Sequence, residues 1–348
     1  MPALNEKGGV TIGGEKYRIE LIVYDSKFSA ELGRAAVERL VNQDKVKFIL
    51  GDLTADAWLP ITEANGVLAI VGTPSPAIYR PDLKYAFQVS ALGTMPVAVF
   101  GWFVKNYPQK KTIGLICTDD IKGHNDAKQL DALSKTFGVT IKDTIFYPPD
   151  QSDFSATATR MKAANPELIS LAGGGTLQDS LALKSLRQAG WKGMLFNYRG
   201  ITPEQYKKVV PLEQLEGAIF PVEGLHVANP KPISKELMDA YVAKNGKWDS
   251  PSAYSVGGFY VLMAALKQAQ SLDTAKVAAV IGNGFKVDSP QGPILMVARP
   301  DMGNAKTVDS LFETYIHTVE NGKLKQVATV SIEEALGYIS KSGIFKAK

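Results

Sequence analysis

Short apolar, β-branched runs alternate along this chain with longer amphipathic stretches. Residues 17–24 (YRIELIVY) alternate in the manner of a half-buried strand and stop at Asp25. Residues 30–41 then place Leu32, Ala35, Ala36 and Leu40 at helical spacing. Residues 46–50 read as a strand ended by Gly51, 58–65 as the close of a helix stopped by Gly66, and 67–71 as a third strand. The loop that follows, Gly72-Thr73-Pro74-Ser75-Pro76, holds two prolines that forbid both helix and ladder.

After a short run at 85–89 the rhythm repeats. Helices are expected at 98–105, 127–136, 154–164 (with Ser152 and Asp153 as caps) and 177–189. Strands are expected between them at 112–117, 139–147, 167–172 and 193–197. Two βα series in tandem predict two parallel sheets with helices on both faces, and loops at the carboxyl ends of strands where ligands bind. Beyond Gly217 the pattern changes. Helices are expected at 233–244, 253–269 and 274–281, then strands at 292–297, 310–319 and 324–330 joined by turns such as Glu320-Asn321-Gly322. A late segment of this kind suggests that the chain returns to complete both halves.

Composition narrows the function classes. Lys+Arg 39 against Asp+Glu 35 gives a net charge of +4 over 348 residues, and no run of four Lys/Arg occurs, which argues against a nucleic-acid partner. No apolar stretch approaches the ~18 residues that span a bilayer. The single cysteine, Cys117, excludes a disulfide within the chain. Its three histidines, His124, His226 and His317, lie too far apart for a zinc site of about four ligands, so no metal or cofactor is expected. Cys117 with His124 is a conceivable dyad, but Cys117 closes an apolar run where a small buried hydrophobe belongs. GxSxG, P-loop and HExxH patterns are absent, so an enzyme is not expected.

Several segments together resemble the type I periplasmic solute-binding proteins, and within them the leucine/isoleucine/valine-binding branch that serves ATP-driven (ABC) importers. They are Leu4-Asn5-Glu6-Lys7-Gly8-Gly9 with the run ending at Asp25, Gly51 and its polar loop, Pro60-Ile61-Thr62-Glu63, and the loop 73–77. TIGLICTDDIKG at 112–123, residues 147–154, Gly190 and DSPQGPI at 288–294 follow in the same order and spacing. The resemblance spans nearly the whole chain. It implies an α/β fold of two Rossmann-like lobes joined by three crossovers near 87–90, 249–252 and 303–308, with a ligand cleft between them. The lobes are expected to comprise 1–89 with 252–304, and 90–251 with 305–348. It also implies a periplasmic or extracellular receptor that binds a small molecule and docks on a membrane permease.

Departures from the family pattern bear on the ligand. Amino-acid-binding members carry a glutamate for the ligand ammonium after the strand ending near Asn197, where this chain has Tyr198 and then Arg199. Arg offers a planar fork of donors suited to a carboxylate. Lys122 stands where an aromatic residue is usual, and Gly173-Gly174-Gly175 replaces a loop that commonly offers a tyrosine. Backbone N–H groups at the start of the helix after Gly174 and Gly175 suit an anion. In the other lobe, Thr54, Thr73 and Ser75 offer hydroxyls and Trp58 offers a ring for a planar ligand. The expected ligand is a carboxylate without an α-ammonium, an aromatic acid or 2-oxo acid.

Blander readings stand beside these. Arg199 reads alternatively as a surface residue paired with Glu204 or Glu213, Lys122 more readily as a solvated lysine than as a ligand contact, 173–175 equally as a tight turn, and Trp58 equally as lobe packing. Asp119 and Asp120 read as a helix cap and a solvated charge. A ligand-sensing domain of the same fold and an α/β enzyme with an unrecognised site remain as alternatives. The resemblance further implies that the family's first strand, its loop and most of its first helix precede residues 1–5. With them would come a leader that could carry a lipid anchor, roughly 25 residues besides the leader, on the basis of one βα unit.

Overall fold

The computed structural model describes residues 2–6, 8–27, 29–51, 54–72, 76–90, 95–172, 175–198, 206–222, 224–225, 230–248, 254–300 and 303–342. In chain order, the first βα series comprises α1 (Pro2–Glu6), the hairpin β1 (Val10–Ile12) and β2 (Glu15–Tyr17), α2 (Ala30–Asn42), β3 (Phe48–Gly51), α3 (Ala55–Ala64), β4 (Leu68–Val71) and β5 (Ala86–Gln88). The second comprises α4 (Met95–Asn106), β6 (Thr112–Thr118), α5 (Ile121–Phe137), β7 (Thr140–Tyr147), α6 (Ser155–Ala164), β8 (Leu168–Ala172), α7 (Gly175–Gln188), β9 (Met194–Leu195) and β10 (Ile219–Val222). The late segment comprises α8 (Pro232–Asn245), α9 (Tyr254–Ala269), α10 (Thr274–Gly282), β11 (Lys286–Ser289), β12 (Gly292–Arg299), β13 (Asn304–Phe312), β14 (Thr314–Glu320), β15 (Lys323–Val330) and α11 (Ile332–Ser342).

Local chemistry starts several of these elements. Ser29 caps α2 by accepting from the Leu32 N–H, Asp120 caps α5 by accepting from the Gly123 N–H at 2.7 Å, and Asp273 caps α10 by accepting from the Lys276 N–H at 2.9 Å. Asn321 (φ 54°) and Gly322 (φ 67°) both occupy the left-handed region that a two-residue hairpin turn needs, and they join β14 to β15. Before α6, Asp153 accepts from the Ser155 N–H and hydroxyl, while Phe154 holds the cap position.

The chain divides into two compact lobes: residues 1–93, 231–312 and 344–348, and residues 94–230 and 313–343. The first holds the parallel sheet β3-β4-β5 and the antiparallel sheet β11-β12-β13. Its core gathers Val37, Trp58, Leu59, Ala69, Val71 and Ile78. A buried polar network ties its two sheets together. Arg299 donates to Asp309 at 2.6 Å, the Tyr79 hydroxyl donates to the same carboxylate at 2.9 Å, and Gln88 donates to its other oxygen at 3.0 Å. The second lobe holds the parallel sheet β7-β6-β8-β9 and the antiparallel sheet β10-β14-β15. Its core includes Ile116, Phe154, Met161, Leu183, Trp191 and Phe220.

Several expectations need correction. The strand expected over 17–24 ends at Tyr17, and residues 18–26 lie outside any helix or strand. The strand expected over 193–197 is reduced to β9, with Phe196 bridging to Ile219. The strand expected over 310–319 is two strands broken at Glu313, because β13 pairs with β12 of the first lobe and β14 with β10 and β15 of the second. Their shared alternation hides the break from any local pattern.

The lobe limits move for the same reason. A crossover does not fall within 303–308, which lies in β13. The helix α8 belongs with the first lobe, where the Ser234 hydroxyl donates to the Pro290 carbonyl at 2.7 Å. The crossover expected at 249–252 lies outside the described residues.

Candidate functional site

In the first lobe, Thr54 and Trp58 follow the carboxyl end of β3 along the chain. Thr54 is buried at the N-terminus of α3, so close to Gly33 of α2 that a Cβ on that glycine would stand 2.1 Å from the Thr54 Oγ1. Trp58 is corrected from a ligand wall to lobe packing: it is 1% exposed and lies over Gly51 within the core. Thr73 and Ser75 lie outside the described residues.

In the second lobe, the strands of the parallel sheet end at Thr118, Tyr147, Ala172 and Leu195. Lys122 is exposed in the first turn of α5, just beyond the Asp120 cap. Gly175 opens α7 with φ +73°, and among the described residues no heavy atom lies within 4 Å of where a Cβ would stand. Asp119 pairs with the His124 Nε2 at 2.8 Å, and His124 stacks on Phe146 at 4.1 Å, away from any acid–base role with Cys117. Cys117 is buried, and burial with the nearby Asp179 charge pushes its thiol up to about 12, where it is inert. Tyr198 is fully buried, its hydroxyl directed at the Asp126 carbonyl at 3.4 Å, so it lines the interior rather than an open surface. Gly174 and Arg199 lie outside the described residues.

The structure adds a group that the sequence reading passed over. Asp179 of α7 is 1% exposed, and one of its carboxylate oxygens has no hydrogen-bond partner among the described residues. Burial raises this carboxyl to about 7, opposed by the charge of Lys122. The Asp179 charge also acts, after burial, to raise the hydroxyls of Tyr147, Tyr198 and Tyr206. A buried polar cluster therefore underlies the carboxyl edge of this sheet. A signal for it exists in the sequence: Asp179, Ala182, Leu183 and Leu186 recur on the one buried stripe of α7, and an acid on such a stripe is out of place.

Among the described residues, no group of three or more His, Cys, Asp and Glu is arranged to hold a metal ion, and no helix is long and apolar enough to cross a membrane. What remains is two α/β lobes that each bring loops and helix starts to strand carboxyl ends, the arrangement of a small-molecule receptor. The sequence profile of the periplasmic binding protein family matches residues 2–307. The chain belongs to this family.

This binding protein is similar to the Leu/Ile/Val-binding protein homolog 3 of Brucella melitensis, at 23% identity over 86% of this chain and 81% of that protein. It is also similar to the leucine-, isoleucine-, valine-, threonine- and alanine-binding protein of Pseudomonas aeruginosa, at 26% identity over 86% and 79%. In fold it is similar to a branched-chain amino acid ABC transporter periplasmic ligand-binding protein of Burkholderia xenovorans, with a TM-score of 0.77 at 19% identity over 98% of this chain and 91% of that one. A second solved structure is an ABC-transporter solute-binding protein of Rhodopseudomonas palustris in complex with 3,4-dihydroxybenzoic acid. Its TM-score is 0.70 at 22% identity, over 94% and 89%. The type I periplasmic binding protein fold is thus the fold of this chain, and its family is one of solute-binding receptors of ABC transporters rather than enzymes.

Proposed function

We propose that this receptor captures a small carboxylate-bearing solute, an aromatic acid or a 2-oxo acid in preference to a free amino acid, and delivers it to the membrane permease of an importer. The observation that carries this reading is Arg199, which stands where amino-acid-binding members place the glutamate that holds the ligand ammonium. A site that holds a cation cannot keep it after reversal of charge, whereas a guanidinium fork matches a carboxylate. Lys122, exposed just beyond the carboxyl end of β6, adds a second cation in the same lobe, and the start of α7 at Gly175 adds backbone donors. The fold neighbour in complex with 3,4-dihydroxybenzoic acid supports an aromatic acid as a ligand class within this fold. Thr54, Thr73 and Ser75 are assigned to the first lobe's share of the ligand, and the two lobes close on it.

A melting panel tests the proposal. Benzoate, hydroxybenzoates, phenylpyruvate and 2-oxoisocaproate are each compared with leucine, isoleucine and valine. Stabilisation by one of the organic acids and not by the amino acids is expected. Stabilisation by leucine or valine, with no response to any acid lacking an ammonium, refutes it.

A further inference from the structure

The carboxyl end of the parallel sheet in the second lobe holds two buried polar side chains with unmet hydrogen-bonding capacity. Tyr147 is the last residue of β7 and stands in register with Thr118, the last of β6. Cys117 beside Thr118 pairs with Ala172, the last of β8, and α7 starts three residues further on. Asp179 lies one turn into α7. Tyr147 belongs to the same apolar layer as Ala182, Leu183 and Leu186 of that helix, so it and Asp179 occupy one end of this layer from two separate elements.

Each of the two is 1% exposed. The Tyr147 hydroxyl and one Asp179 oxygen make no hydrogen bond among the described residues. Such atoms are rare in folded proteins, and two of them at the end of one layer call for a common explanation. Burial and the charge of Lys122, with no hydrogen bond, set the state of the Asp179 carboxyl. Its charge in turn adds to the effect of burial in raising the Tyr147 hydroxyl. The two groups are neighbours without being each other's partner.

This pair lies close beneath the surface. Lys122 is exposed at the start of α5, yet its charge reaches Asp179. Leu177, two residues before Asp179, is 55% exposed and adds an aliphatic face at the same end of α7. A cation, an aliphatic face and a polar pair are thus gathered at strand carboxyl ends, where ligands bind in open α/β sheets.

We propose that Asp179 and Tyr147 form a subsite for a hydroxyl group of the solute, which makes the ligand a hydroxylated aromatic carboxylate. The inference rests on the carboxylate reading above and narrows it. A hydroxyl completes both groups with one atom, donating to the Asp179 carboxylate and accepting from the Tyr147 phenol. An ammonium only donates, leaves the Tyr147 proton unmet and enters beside the positive charge of Lys122. A carboxylate at this point is repelled by Asp179. The ligand therefore turns its own carboxylate toward Lys122, its hydroxyl inward and its ring against Leu177.

Isothermal titration calorimetry of the whole chain at pH 8 compares benzoate with 3- and 4-hydroxybenzoate, with phenylpyruvate, leucine and valine as further titrants. The parent is expected to bind one hydroxybenzoate about tenfold tighter than benzoate or more, the size of a hydrogen bond to a charged group. In Tyr147→Phe and in Asp179→Ala that ratio is expected to fall to about threefold or less. Tyr147→Phe keeps its ring in the layer, so the test stands even where loss of the acid disturbs the lobe. A ratio that keeps the parent's value in Tyr147→Phe overturns the subsite, the pair then being bridged by water alone. Equal affinity for benzoate and both hydroxybenzoates overturns it too, as does binding of phenylpyruvate alone. These three results leave the carboxylate reading in place, whereas binding of leucine or valine alone overturns both.

Discussion

The carboxyl of Asp179 should leave a measurable mark on how stability depends on pH. In the unfolded chain it releases its proton near 3.8, and in the folded lobe burial holds the proton to about 7. Across that window the folded state binds more protons, so stability falls as pH rises, at up to 1.36 kcal/mol per pH unit. The total is about 4 kcal/mol between pH 4 and pH 8. His317, buried in β14 of the same lobe, acts in the opposite sense. Burial lowers it from 6.5 to about 4, so the unfolded chain binds the extra proton and stability rises with pH over that interval, by about 3 kcal/mol.

Between pH 4 and 6.5 the contributions of these two groups nearly cancel, so that each conceals the other in the parent protein. Asp179→Asn keeps the shape, removes the titration, and exposes the histidine. Urea unfolding of the parent and the variant, followed by tryptophan fluorescence at half-unit steps from pH 4 to 8, reads the difference directly. The variant should gain about 4 kcal/mol relative to the parent over this range. Parallel curves within about 1 kcal/mol would refute the account of Asp179 as a buried, proton-holding acid.

Three further outcomes are expected. Asp309→Ala strands the Arg299 guanidinium inside the first lobe and should cost about 3–5 kcal/mol in urea unfolding; a loss below 1 kcal/mol would show that the pair is not a structural tie. Gly101→Ala should destabilise by about 1–3 kcal/mol, because the new methyl would stand 2.3 Å from the Tyr338 ring, and the usual helix gain of about 0.5–1 kcal/mol is smaller; a rise in melting temperature contradicts this. Arg199→Glu should abolish binding of the carboxylate identified in the melting panel and leave the ligand-free melting point in place; affinity within twofold of the parent removes Arg199 from the site.

Much of the fold was legible because its signals are local. The helical spacing of α2, the apolar run of β4, the Asp120 cap and the Asn321-Gly322 turn each depend on residues a few positions apart. The failures were at places where the partner decides. Residues 17–24 carry a strand pattern, but a strand is made by the neighbour that pairs with it, and beyond Tyr17 none of the described residues does so. Residues 310–319 carry one pattern through a change of lobe. Lys122 and Gly175 lie in the first turns of α5 and α7, whereas Trp58 and Tyr198 are drawn inside because large rings fill lobe cores.

The sequence by itself determined the alternation of strand and helix and the order of motifs that mark the family, since these are properties of residue type and spacing. Tertiary structure alone decided the pairing. Gln88 meets Asp309 across 221 positions of chain, and Asp179 is buried by the folding of its lobe and from there raises the hydroxyls of Tyr147, Tyr198 and Tyr206 and the Cys117 thiol, which come from separate parts of the chain. Desolvation and ladder bonding depend on what arrives from elsewhere in the chain, and no window of local sequence contains that information.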